Sequence, residues 1–475
     1  MKRKLLPFIV LFSAIFLFDS CLNDNDNGVV YYNDTALTAF TLGTLNQYLH
    51  TKTAAGKDSV YKKTLTGSKY PFYIDQMKNE IYNPDSLPYG TDAKHIICTI
   101  TSKNSGVIAL KSITSDSLKY HSNSDSIDFT QPRKVRVYNL SNTASRTYTV
   151  RVNVHKQEAE TFNWVNKLST NTQLGSLSEM RAVVNHGNIY VYGIGLSELE
   201  IYSTSDRDGT QWRKITPNVE LGTSTYQNIV SKDNKLYTLN KGKVLVSNNA
   251  AFWQEVSNAP RLRRLIGASN AKLYAITRAN KIAVSADNGK TWNDEPMDTN
   301  GNFLPTESIN FISVPMTTNN LTNKVMFIGN RSATTYATDA YAMMWGKVEE
   351  NAQNSDNQPW SYYNISLDNH YVAPRLQGLQ VVSYGNSLLA FGGKGIGKYS
   401  ATAFSQFYES LDGGITWKKS ENITKPESFS SNEKSFAMVK DSKNFLWIIC
   451  GTSGQVWRGR QNKLGWATTQ TSFYK

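Results

Sequence analysis

Apolar runs of five or six residues, each bounded by Gly, Asn, Asp, Ser or Lys, recur through the last two-thirds of the chain. Six of them share a pattern: Asn188–Gly193, Lys235–Leu239, Lys272–Ile276, Lys324–Gly329, Ser387–Gly392 and Phe445–Ile449. Runs this short, rich in Leu, Ile, Val and aromatics and flanked by turn residues, read as buried strands rather than helices. A further strand-like segment, a turn and a tryptophan follow each one: Trp212, Trp253, Trp292, Trp360, Trp417 and Trp466, spaced 41, 39, 68, 57 and 49 residues apart. A four-stranded repeat needs about 40 residues, so the spacing fits six radial copies of one sheet, with long loops in the fourth and fifth. The pattern predicts a six-bladed β-propeller over residues 158–475. The segment Trp164-Val165-Asn166-Lys167-Leu168 resembles the outer strands that begin at Trp212 and Trp417. It either completes the last blade or caps a seventh, so a seven-bladed ring is the alternative.

The preceding stretch is also strand-like. Ala36–Leu42, Lys94–Ser102, Ser126–Phe129, Lys134–Asn139 and Thr147–His155 are candidate strands, and in the last of these Tyr148, Val150, Val152 and Val154 alternate with polar residues. With no helical periodicity over about 120 residues, the pattern predicts an immunoglobulin-like (Ig-like) β-sandwich over 34–157 that serves as a spacer. The fold class is all-β. Residues 1–20 read as a targeting leader, since Lys2-Arg3-Lys4 precede an apolar stretch from Leu5 to Phe18 that is short for a membrane span. Residues 21–33 are polar and read as a tether.

Two octapeptides fix the turn chemistry: Ser285-Ala286-Asp287-Asn288-Gly289-Lys290-Thr291-Trp292 and Ser410-Leu411-Asp412-Gly413-Gly414-Ile415-Thr416-Trp417. In both, a short carboxylate is placed to bond backbone N–H groups, Gly accepts a positive φ, and Trp opens the next strand. Ser205–Trp212, with Arg207 at the aspartate position, and the shorter Ser247–Trp253 are degenerate copies. The octapeptides resemble the Asp-box, or bacterial neuraminidase repeat (BNR), of sialidases, sortilin-type receptors and photosystem assembly factors. That resemblance implies a propeller in which Ser285, Asp287, Gly289, Thr291, Trp292, Ser410, Asp412, Gly414, Thr416 and Trp417 shape peripheral hairpins and do no chemistry. Gly392-Gly393 is similar to the paired glycines of kelch strands. Cys21, just after the apolar stretch, resembles the acylated cysteine of a bacterial lipobox, and Leu22–Asn27 resembles the acidic export tract of surface lipoproteins in Bacteroidota. The whole layout resembles uncharacterised surface lipoproteins of the Bacteroidales, with Tyr73-Ile74-Asp75 and Asp85–Asp92 matching their N-terminal domains. These resemblances imply lipidation at Cys21 and a body held at the outer membrane, facing the cell exterior.

Composition narrows the chemistry. The formal net charge is +13, and removal of the leader, with Lys2, Arg3, Lys4 and Asp19, leaves +11. Basic residues are spread widely, with one tight group at Arg261, Arg263 and Arg264, so a nucleic-acid partner is not expected. Cys98 and Cys450 are far apart, so no disulfide is expected, and Cys450, in an apolar run, reads as a core residue. The six histidines have no metal-ligand spacing, and neither a phosphate-binding loop nor a dinucleotide fingerprint occurs, so no metal or cofactor is assigned. A sialidase-like set would need an arginine triad, a Tyr/Glu pair and an acidic Asp. Its early Arg-Ile-Pro or Arg-Leu-Pro signature is absent; Ala259-Pro260-Arg261-Leu262 and Ala373-Pro374-Arg375-Leu376 invert the order and read as loop punctuation. With no catalytic residue assigned, Tyr341, Trp345, Trp360, Tyr362 and Tyr363 are the candidate ligand-binding group, because exposed aromatic faces stack on sugars. The expected function is non-catalytic binding of a glycan or an outer-membrane protein partner. A glycoside hydrolase or lyase in the axial pocket and a scaffold of a membrane complex are the alternatives.

Overall fold

The computed structural model describes residues 32–53, 55–352, 358–365 and 369–466, and the leader and Cys21 lie outside them. Among the described residues no helix is long and apolar enough to cross a membrane. The chain divides into two compact units, one through Glu158 and one from Ala159 to Trp466.

The first unit is sheet-rich. A three-stranded sheet orders Leu37–Leu42, Ile96–Ser102 and Ser126–Ile127. A six-stranded sheet orders Tyr73–Asp75, Glu80–Tyr82, Ser145–Arg151, Arg133–Tyr138, Ile108–Lys111 and Leu118–Tyr120. Both contribute to one core, through Phe40, Ile96, Ile81, Val135 and Tyr148 among others. Alternation explains this, because Ile96–Ser102 and Arg133–Tyr138 bury every second residue. One pairing, Thr149–Arg151 with Glu80–Tyr82, is parallel. A separate two-stranded ribbon, Thr44–Lys52 with Asp58–Thr66, corrects the sequence reading, which placed no strand there. Asp58–Thr66 is exposed almost throughout and so carries no apolar signal.

The second unit holds six four-stranded antiparallel sheets among the described residues. Their first strands are Glu179–Asn185, Val230–Lys232, Leu262–Ala268, Glu307–Met316, Gln380–Tyr384 and Phe436–Lys440. Each first strand neighbours the next, and Phe436–Lys440 neighbours Glu179–Asn185, so the circuit closes. All six apolar runs in the sequence are second strands and are buried nearly end to end, for example Leu273–Thr277 and Leu446–Cys450. The fourth strands are only two to seven residues long. Side chains clamp neighbouring sheets through backbone carbonyls: Asn310 Nδ2 to Leu379 O at 2.9 Å, Asn330 Nδ2 to Leu376 O at 2.8 Å, and Ser435 Oγ to Leu177 O at 2.5 Å.

In the sixth sheet the segment around Trp164 completes the last blade, one of the two placements the sequence left open, while Trp466 differs from the expectation. The fourth strand of that sheet is Phe162–Leu168, which pairs antiparallel with Val456–Gln461, Trp164 opposite Gly459. The strand that starts the unit therefore closes its last sheet. Trp466 precedes no strand and follows the 3-10 turn Asn462–Gly465.

Charges are buried between the third and fourth sheets. Lys347 and Glu295, both with side chains 2% exposed, pair at 3.1 Å, and Glu295 also accepts from Trp360 Nε1. Glu349 accepts from Ser269, Tyr274, Asn323 and Asn351. Burial pushes its carboxyl up, but these donors outweigh it and hold it below the usual range. Arg375, read from sequence as loop punctuation, is a fully buried pin. It donates to the carbonyls of Asp339, Arg331 and Tyr336 at 2.7, 3.1 and 3.0 Å and fixes the long loop of the fourth sheet.

Candidate functional site

The two octapeptides form superposable networks. Ser285 Oγ donates to Asp287 Oδ1 at 2.7 Å and accepts from Gly289 N at 2.8 Å, and Asp287 accepts from Thr291 N and Oγ1 at 2.9 and 2.6 Å. Ser410, Asp412, Gly414 and Thr416 repeat this at 2.8, 2.8, 2.9 and 2.5 Å. Trp292 and Trp417 donate Nε1 to the carbonyl of the glycine three residues earlier, at 3.1 and 2.9 Å. Both hairpins join third to fourth strands, and their carboxylates are spent on their own turns. Burial raises the Asp287 carboxyl, yet the bonds from Thr291 and Ser285 prevail and bring it to about 2.

The degenerate copies keep the same geometry with different residues. In the first sheet Asp208, one place along from Arg207, accepts from Thr210 and Gln211, and Trp212 Nε1 reaches Gly209 O at 3.2 Å. In the second, Asn249 replaces the aspartate and Ala250, at φ +64°, replaces the glycine, with Trp253 Nε1 on Ala250 O at 2.8 Å.

The aromatic group does not form an exposed platform. Trp345 and Trp360 are fully buried in the core between the third and fourth sheets, with Nε1 bonded to Phe303 O at 3.0 Å and to Glu295 at 2.5 Å. Tyr341, Tyr362 and Tyr363 are half-buried, and the Tyr362 ring packs at a tilt against Phe303 and Trp345. The physical reason is that strand ends in this sheet extend into the loops, so its aromatics fill the interface.

A cavity of about 350 Å³ lies where the first strands converge. Four sheets contribute strand residues to its wall: Glu179, Met180 and Arg181 from the first, Arg264 from the third, Glu307, Ser308 and Ile309 from the fourth, and Gln380 from the fifth. The lead-in segments of the second, fifth and sixth sheets add Tyr226 and Gln227, Gln377 and Gly378, and Lys434. A site that all sheets share in this way is on the ring axis. Arg181 reaches from the first sheet to the Ile309 carbonyl, three sheets further round, at 2.7 Å. Arg264 donates to Thr306 O at 2.7 Å and to Gln227 Oε1. Burial, with repulsion from Arg264, lowers Arg181 to about 10; burial and repulsion from Arg263 lower Arg264 to about 10, while Glu307 opposes that shift. Both stay cationic at neutral pH. Tyr226 donates its hydroxyl to Glu179 Oε2 and accepts from Gln227 Nε2 at 2.5 Å.

Sequence reasoning missed these residues. It noticed Arg261, Arg263 and Arg264 only as a basic group, and the fold separates them: Arg261 pairs with Asp294, Arg263 bonds Asn280, and Arg264 turns to the axis. The available signal was charge inside an inner strand, as in Glu179-Met180-Arg181, where a polar side chain has only the axis to face. Among the described residues no cluster of three or more His, Cys, Asp or Glu is placed to hold a metal.

The chain has distant similarity to several solved structures. One is YCF48 bound to D1 peptide, at 16% identity and TM-score 0.34, covering 64% of this chain and 98% of that one. Another is PorZ, a surface component of the type-IX secretion system of Porphyromonas gingivalis, at 10% identity and TM-score 0.34, covering 91% and 57%. A third is the Trypanosoma rangeli sialidase, at 12% identity and TM-score 0.34, covering 64% and 60%. Similarity at this level says nothing about what the present chain binds. No curated protein matches it. Residues 40–152 match the N-terminal domain of the DUF6242 family and residues 158–469, about two-thirds of the chain, match the DUF6242 beta propeller domain, so the chain belongs to the DUF6242 family.

Proposed function

We propose that this chain is a lipoprotein anchored through Cys21 at the outer membrane, with an Ig-like spacer and a six-bladed propeller that binds a glycan or protein partner at its axis without catalysis. The observation that carries the binding reading is the axial cavity, lined by charged and amide side chains from the inner edges of the sheets. Six four-stranded sheets and one shared two-sheet core support the domain readings. The apolar stretch ending just before Cys21 supports the anchor. A glycan-array screen and a pull-down with the folded chain test the binding site, alongside Gln380→Trp, which fills the cavity and leaves the arginines in place. Binding that survives Gln380→Trp moves the site elsewhere. Cys21→Ala should release the protein from membranes, and unchanged fractionation ends the anchor reading.

One observation favours a hydrolase as second reading: the Tyr226–Glu179 pair lies in the same cavity as a second carboxylate, Glu307. Turnover of acidic oligosaccharides that disappears in Glu179→Gln would support it. A folded protein inert across such a panel removes it.

A further inference from the structure

We propose that the axial cavity recognises a sugar unit bearing an oxyanion, carboxylate or sulfate, between Arg181 and Arg264. This rests on the glycan-binding reading above and names the chemistry of its ligand.

The argument starts from how the rest of the propeller treats buried cations. Lys347 is paired with Glu295, and Arg331 with Asp339 at 2.5 Å. Arg181 and Arg264 break that habit. They share one cavity, the charge of Arg264 makes that of Arg181 more costly, and among the described residues neither has a carboxylate within ion-pair distance. Their side-chain hydrogen bonds go to neutral oxygens, Ile309 O, Thr306 O and Gln227 Oε1. A guanidinium has five N–H donors, and these bonds use one of Arg181's and two of Arg264's. Two guanidiniums fixed in one cavity with donors to spare are preorganised for an oxyanion, which would offset their charge and accept bidentate bonds.

The remaining wall selects the carrier. Gln227, Gln377, Gln380 and Ser308 offer neutral donors and acceptors that suit hydroxyl groups, while Met180 and Ile309 are the aliphatic contributors. Such a wall is too polar for a lipid chain. At about 350 Å³ the cavity is at the small end of ligand pockets, the size for one or two sugar units. Two carboxylates also shape the choice. Glu179 is tied to Tyr226 and Glu307 lies beside Arg264, so with Lys434 the cavity carries three cations against two anions. That balance admits one acidic group and disfavours a polyphosphate.

Calorimetry on the full chain tests this with three oligosaccharides of one backbone: uronate-bearing, sulfated, and neutral with the acid reduced to an alcohol. An acidic form should bind at least tenfold tighter than the neutral form, and whichever of the two acids binds identifies the anion. Arg181→Ala should weaken that binding tenfold or more and so narrow the gap between the acidic and neutral forms. Raising salt should weaken the acidic ligand only, a readout independent of whether the Arg181→Ala variant folds. Equal affinity for acidic and neutral forms, or salt-independent affinity, overturns this inference while leaving glycan binding intact. If no glycan of any kind binds, both fall together.

Discussion

Two regions of the propeller hold buried or half-buried charge, and they treat it in opposite ways. Between the third and fourth sheets, Glu295, Lys347 and Glu349 are matched by named partners and closed off from solvent. At the axis, Arg181 and Arg264 are held by carbonyls and an amide, and they face a cavity. Charge that is fully partnered stiffens a sheet interface; charge with donors left over is available to a ligand.

The difference can be broken by mutation. The largest expected effect is Glu295→Ala, which leaves the Lys347 ammonium buried without its carboxylate and strips Trp360 Nε1 of its acceptor. It should cost about 3–5 kcal/mol of stability by urea unfolding, and a loss below about 1 would contradict the structural role. Next comes Glu349→Gln, which retains shape but replaces one of two acceptor oxygens, the one facing Asn323 and Asn351 or the one facing Ser269 and Tyr274, with an NH2 donor, at about 1–3 kcal/mol. Arg181→Ala should cost less than about 1 kcal/mol, because water replaces it at the cavity and its repulsion with Arg264 disappears. A loss as large as that of Glu295→Ala would erase the contrast. The smallest effect concerns pH. The Asp287 carboxyl sits at about 2 when folded, below its unfolded value of roughly 3.9. Its contribution is therefore full above about pH 4 and is lost as pH falls toward 2. In Asp287→Asn the acid limb of the stability curve should flatten over that window.

The same contrast explains what was legible in the sequence. Second strands such as Lys272–Ile276 stood out because a strand buried on both faces is an unbroken apolar run. The hairpins at Asp287 and Asp412 stood out because the turn demands particular residues. Ser247–Trp253 shows the limit: an Asn and a left-handed Ala build the same turn, so the geometry outlives the motif. Short fourth strands and the exposed ribbon Asp58–Thr66 carry no periodic signal. Trp345 and Trp360 misled, since a tryptophan beside a long loop reads as exposed until the neighbouring sheet is known to cover it. Arg181 and Arg264 were hidden because convergence at an axis joins residues more than eighty positions apart.

The pairing of Phe162–Leu168 with Val456–Gln461 has a temporal consequence. Synthesis delivers one partner of this latch nearly 300 residues before the other, so five sheets are complete while the ring is still open. Until the latch engages, the early strand must wait with its backbone donors unmet, exposed to any other edge that passes. A chain cut short of Val456 would keep most of its apolar core but lose the strand between Leu446–Cys450 and Phe162–Leu168, leaving two unpaired edges that invite chain-to-chain association.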